Sequence, residues 1–110
     1  MAAHDALVAA EWVASRCDGV TLEQFTEDDV LRLAVERQLE IAGEALARAE
    51  RADPGFAQAV PDLRRVIGLR NVLAHGYDVI DPHVIHLVVT ISVPALAVAL
   101  RQLLGMEDAE

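Results

Sequence analysis

The sequence predicts an all-α fold, an up-and-down bundle of four to five helices, and three observations carry that expectation. Apolar residues recur at spacings of three and four along most of the chain, the period of a helix face. Hydrophobic residues reach 54% while aromatics stop at 4%, so the core must be aliphatic and alanine-rich, which suits closely packed helices. The periodic stretches are separated by turn-forming segments, CDGVTLEQF and ADPGFAQAVPD. With 110 residues, 1–110 form one domain, near the size at which marginal stability favours oligomerisation. Surplus apolar surface on so short a chain predicts a dimer.

The first helix is expected over residues 4–17, with Leu7, Ala10, Val13, Ala14 and Cys17 on its apolar side. A second runs from about 27 to 52, capped by Thr26, with Glu27, Asp28 and Asp29 in the first turn where the dipole favours acids. Leu31, Val35, Leu39, Ala42, Leu46 and Ala49 mark its buried face. Glu36, Glu40, Glu44 and Arg48 follow at four-residue steps on another face, where only Glu44–Arg48 joins opposite charges. That row reads as solvated, the alternative being that Glu40 or Glu44 meets a basic pocket elsewhere. A third helix is expected from Asp62 to His75, with Gly76 at the C-cap position. Asp81-Pro82 then opens a final helix, with a kink or restart at Pro94. Its first stretch, VIHLVVTISV, is β-branched enough for a strand, but its length and its Asp-Pro start favour a helix.

Charge and cysteine usage narrow the class. Eighteen acidic against nine basic residues give a net charge of −9, which argues against broad, sequence-independent coating of nucleic acid. A local basic pocket remains compatible. The lone Cys17 permits no internal disulfide and fits a reducing cytoplasm. The N-terminus MAAHDALVAA lacks a basic segment and carries Asp5, unlike a secretory signal. Residues 83–100 approach membrane-spanning length, but His83, His86, Thr90, Ser92 and Pro94 dilute them. A buried core or interface helix, with no membrane, is the expectation.

The polar groups concentrate in GLRNVLAHGYD, residues 68–78. On a helical wheel Arg64, Gly68, Asn71 and His75 share a narrow stripe, while Arg70 lies with Leu63, Val66, Ile67 and Ala74, about 140° from His75. An arginine among core residues keeps its charge and must find a carboxylate, a phosphate or solvent. Arg70 and His75 of one helix diverge, but two copies about a two-fold axis bring them together. Histidine trades protons near neutrality, arginine holds phosphate in a bidentate grip, and asparagine orients the histidine or donates to a phosphate oxygen. Together they suffice for metal-free RNA cleavage, in which the ribose 2′-hydroxyl attacks the adjacent phosphate. From spacing alone, helix-end capping and pairing are the simpler account of the same residues.

The stretch Arg70-Asn71-Val72-Leu73-Ala74-His75-Gly76-Tyr77 matches the R-x4-H-x-Y signature, and on it the chain resembles the HEPN superfamily. More narrowly it resembles HepT-like toxins of MNT–HEPN toxin–antitoxin pairs. AVERQLEIAGEAL, residues 34–46, and IGLRNVLAHGYDVID, residues 67–81, stand in the expected order, and the similarity covers about 26–104. The resemblance implies a homodimeric all-α HEPN fold and a cytoplasmic, metal-independent ribonuclease toxin without cofactor. Arg70 and His75 would be catalytic, with Asn71 and Arg64 supporting. It also implies a nucleotidyltransferase antitoxin of the MNT type that transfers AMP to Tyr77, and an RNA substrate such as tRNA or mRNA. The rival expectation is a non-catalytic helical subunit that binds substrate for, or presents itself to, a minimal nucleotidyltransferase.

Smaller signals read blandly. His83 and His86 resemble a metal pair, but no third ligand has suitable spacing, and polar residues at a helix start near the dimer seam are the simpler account. Trp12 and Phe25 are expected in the core or interface, and Cys17 as a buried, inert thiol. Arg64 and Arg65 add positive charge beside the motif, which suits RNA phosphate or acidic patches of the antitoxin, and pairing with Asp62 or a neighbour accounts for them as well.

Overall fold

The computed structural model describes residues 1–75 and 81–106, with 74 and 75 described by backbone alone. All regular structure among them is helical: α1 (Ala2–Cys17), α2 (Leu22–Glu27), α3 (Asp29–Ala52), α4 (Phe56–Ala59), α5 (Leu63–His75), α6 (Pro82–Leu87) and α7 (Val93–Leu103). A π-helical turn, Val88–Ser92, joins α6 to α7 into one long final helix. The all-α expectation holds, with four long helices supplemented by the short α2 and α4.

α3 lies centrally, packed on α1 on one side and α5 on the other, and α1 in turn packs on the final helix. Ion pairs across the seams give the register. Asp5 meets Arg48 at 3.8 Å, Glu44 meets Arg70 at 2.7 Å, and Glu50 meets Arg64 at 2.9 Å. Residue numbers rise on one helix as they fall on the next, so α1, α3 and α5 alternate in direction. Glu11–Arg101, at 2.8 Å, and the cavity shared by Ala14, Cys17, Val89 and Pro94 place the final helix antiparallel to α1. Such partly exposed pairs add little stability and serve chiefly to fix the sliding of one helix on another. The adhesive term is the aliphatic core, in which Leu7, Val35, Leu39, Leu46, Leu96 and Leu100 are essentially inaccessible.

The start of α3 corrects the sequence reading. Thr26 does not cap it. Thr21 opens α2 with a reciprocal capping box, its hydroxyl accepting from the Gln24 N–H and its own N–H donating to the Gln24 side chain. Thr26 lies inside that helix, its hydroxyl donating to the Leu22 carbonyl at 2.8 Å. Asp28 is the N-cap of α3, its carboxylate accepting from the Leu31 N–H at 3.0 Å.

The final helix is interrupted where a kink or restart at Pro94 is expected: a π-helical turn ends at Ser92 and α7 begins at Val93, with Pro94 in its first turn. A proline ring collides with the carbonyl four residues earlier, here that of Thr90, and widening the preceding turn makes room. The Val93 N–H accordingly donates to Val88, five residues back. Ser92, in this turn, is fully buried, and its hydroxyl has no hydrogen-bond partner among the described residues. By length and composition the span Pro82–Leu103 is apolar enough to cross a membrane, and half of its most apolar window is buried inside the fold.

His86 belongs to this packing. Its Nε2 lies 3.0 Å from the Val20 carbonyl and its ring 5.7 Å from that of Phe25, tying the final helix to the α1–α2 connection. Among the described residues, no three His, Cys, Asp or Glu side chains are grouped to hold a metal ion. Cys17 is buried, and desolvation raises its thiol pKa above the ordinary value, in keeping with an unreactive thiol. Trp12 is partly buried on α1, with the Arg16 guanidinium 5.2 Å above its ring.

Candidate active site

The site starts from a close approach of α3 and α5. Gly43 is buried on α3. A methyl group there would overlap the Arg70 Cβ and lie 2.9 Å from its Cγ and 3.1 Å from the Val66 carbonyl oxygen. The missing side chain lets α5 settle onto α3 with Arg70 directly at the contact. Its neighbours Leu63, Val66 and Leu69 are buried, as the helical wheel requires.

Arg70 therefore begins in the core and reaches outward, its side chain 28% exposed. Its Nη2 meets the Glu44 carboxylate at 2.7 Å, and its Nη1 donates to the Asn71 Oδ1 at 2.9 Å. Of the three outlets open to a charged core-side arginine, the chain uses a carboxylate. Glu44 is thus not simply part of a solvated row. Nor does it form the expected pair with Arg48, which instead reaches Asp5 on α1. A second, looser contact of 3.9 Å joins Glu44 to Arg51.

Around this pair lies a groove of about 270 Å³ lined by Arg37, Glu40, Ile41, Glu44, Arg48 and Arg70. Three arginines and two glutamates line it, and each arginine has a carboxylate partner, Arg37 with Glu40, Arg70 with Glu44 and Arg48 with Asp5. Glu40 is held by Arg37 at 3.1 Å. Arg37 was not singled out in the sequence, and Arg48 was read there only as a partner for Glu44. The available signal was that Arg37 and Ile41 adjoin the row Glu40, Glu44 and Arg48 on the same side of the helix.

Arg64 is not brought to this groove. It sits six residues, or roughly 9 Å of helix rise, before Arg70 and is engaged by Glu50. The tie crosses to α3, rather than running to Asp62 or a neighbour on its own helix. Asn71 is exposed and touches the Arg70 guanidinium. The side chain of His75, and Gly76 and Tyr77, lie outside the described residues; the backbone places His75 as the last residue of α5.

The arrangement can hold an anion. A guanidinium carries five N–H donors, and two are used by the contacts with Glu44 and Asn71. The rest suit two oxygens of one phosphate, beside a helix end that carries a histidine.

Comparison with known proteins points the same way. Residues 6–103 match the family model described as "Ribonuclease HepT-like". The chain is 29% identical over 101 residues to "Putative RNase TTE0752" of Caldanaerobacter subterraneus subsp. tengcongensis, covering 92% of this chain and 89% of that one. It is 30% identical over 95 residues to "Putative RNase MJ1380" of Methanocaldococcus jannaschii, covering 84% of each. No solved structure matches it significantly. The chain belongs to the HepT-like ribonuclease family.

Proposed function

We propose that this HepT-like protein is a cytoplasmic toxin: a homodimeric, metal-independent endoribonuclease whose site is completed by residues of both subunits. Arg70 of one or both subunits binds the scissile phosphate. His75 takes the proton from the ribose 2′-hydroxyl, whose oxygen bonds to phosphorus as the 5′-oxygen leaves with a proton. The products are a 2′,3′-cyclic phosphate and a free 5′-hydroxyl, and DNA, lacking the internal nucleophile, is spared. Charge growing on the phosphate is met by the Arg70 guanidinium, so no metal ion is needed for that role. Asn71, in contact with Arg70, helps to orient it.

The observation that carries this reading is the permanent cation of Arg70, held part-buried in an arginine-rich groove on the helix that ends at His75. Exposed apolar side chains, Val30 and Leu33 on α3 and Val72 on α5, support pairing with a second copy. The purified protein should cleave RNA in the presence of EDTA, and His75→Ala should abolish cleavage without loss of helicity. Retained activity in that variant rejects the assignment.

The same reading places an MNT-type nucleotidyltransferase beside the toxin, transferring AMP from ATP to the Tyr77 hydroxyl. The added phosphate would compete for the groove through both charge and bulk. Co-expression should add AMP mass to the wild type, and the same mass on Tyr77→Phe would refute the site. A non-catalytic subunit serving such a transferase draws support from the net charge of −9 and the exposed apolar residues. Growth arrest on expression of the chain alone fits only the toxin.

A further inference from the structure

We propose that Glu44 is the positioning residue for Arg70, fixing the guanidinium so that its unused N–H groups face the scissile phosphate; the proposal rests on the ribonuclease reading above. Arginine is a long, flexible side chain, and a free one would sample many orientations at the mouth of a groove. Here it is held at three places. Gly43 receives its Cβ and Cγ, Asn71 accepts from Nη1 at 2.9 Å, and Glu44 takes Nη2 at 2.7 Å. The first fixes where the side chain leaves α5, and the other two fix the plane of its head. One N–H on each Nη and the Nε–H remain for phosphate oxygens.

The choice of Glu44 over Glu40 follows from partners. Both line the groove, but Glu40 is held by Arg37, whereas the Glu44 carboxylate is directed at Arg70 across the helix seam. Glu44 sits beside Gly43, so the residue that sets the helix spacing and the residue that sets the arginine's direction are adjacent on α3. The carboxylate does not touch the reacting atoms. It acts through Arg70.

The experiment uses the full chain and a fluorophore–quencher RNA oligonucleotide containing all four bases, with kcat and KM measured separately. Glu44→Ala should lower kcat about tenfold to a hundredfold, the scale of a displaced catalytic group, while KM changes less than about threefold. Glu44→Gln, which keeps an acceptor oxygen at the same reach, should recover most of that loss. Glu50→Ala cuts the other tight tie between α3 and α5 without touching Arg70, and should keep the parental rate. Unchanged or faster turnover in a folded Glu44→Ala overturns the proposal, since a carboxylate that merely occupied the phosphate's place would release activity on removal. If Glu44→Ala does not fold, Glu44→Asp decides: folded with reduced kcat supports positioning, and folded with parental kcat overturns it. Arg70→Ala separates the two levels. Loss of activity there with no effect at Glu44 sinks only the positioning role, whereas retained activity there sinks the site itself.

Discussion

Replacing Gly43 with alanine tests the packing on which the site is built. In the middle of an exposed helix the change would be stabilising, because alanine is the better helix former by about 1 kcal/mol. At Gly43 the new methyl overlaps the Arg70 Cβ, which is tethered to the α5 backbone and cannot swing aside like a side-chain tip. α3 and α5 must separate, at the usual overpacking cost of about 1–3 kcal/mol. The difference is a net loss of roughly 1 kcal/mol, or a Tm lowered by about 4 °C for a chain of this size. Gly68 supplies the internal control. It is exposed in the middle of α5, and a Cβ there meets nothing within 4 Å, so Gly68→Ala should raise the Tm by about the same amount. Melts followed by far-ultraviolet circular dichroism, at one fixed protomer concentration because association shifts Tm, read both signs directly. Gly43→Ala should also slow RNA cleavage, since the separation carries Glu44 away from Arg70. A Gly43→Ala protein that melts at or above the parent refutes the close approach, and with it the geometry assigned to the groove.

Other consequences are simpler to check. Asp28→Ala should cost about 1 kcal/mol through loss of the α3 cap, while Thr26→Ala should stay within about 0.5 kcal/mol; chemical denaturation of the pair shows whether the cap has been placed correctly. Ser92→Ala should stabilise the protein by about 1 kcal/mol, because it removes a buried hydroxyl without a partner among the described residues, and a lower Tm would reveal a bond not accounted for. Burial raises the pKa of Glu36 above the ordinary carboxylate value, assisted by Glu40 and opposed by Arg32. The folded state thus binds this proton more tightly than the unfolded chain, so its contribution is favourable below the ordinary carboxylate range and is lost as pH rises through the folded value. Glu36→Gln should accordingly melt higher than the parent at neutral pH, with the gap closing in acid; a gap that widens on acidification has the wrong sign.

The long helices were legible because burial imposes its own spacing: Val35, Leu39, Ala42, Leu46 and Ala49 are buried where the three-and-four repeat put them. The same logic placed Arg70 on the core side of α5 before any contact was known. What escaped was every choice between equivalent local solutions. Thr26 and Asp28 are both competent caps two residues apart, and the choice went to Asp28 because Thr21 and Gln24 had already enclosed Thr26 in α2. Glu44 could meet Arg48 along its own helix, yet it meets Arg70 across the seam, and sequence spacing counts only neighbours on one helix. Arg64 shares a wheel position with the motif but answers to Glu50. The groove-forming role of Gly43 had no local signature, because its reason lies 27 positions away at Arg70.

The wide turn between Val88 and Ser92 bears on how this helix tolerates changes in length. It holds one more residue than the same arc of ordinary helix, so the segments on either side keep their faces toward α1 and α2 despite the surplus. Deleting a single residue there, together with Pro94→Ala to remove the ring that the wide turn accommodates, would close the hydrogen bonds to the ordinary pattern and leave both flanks in phase. An equal deletion within α3 would turn everything beyond it by about 100° and carry Leu46 and Ala49 out of the interior. A chain one residue shorter can therefore keep this architecture if the shortening falls in that turn and the proline after it is also replaced.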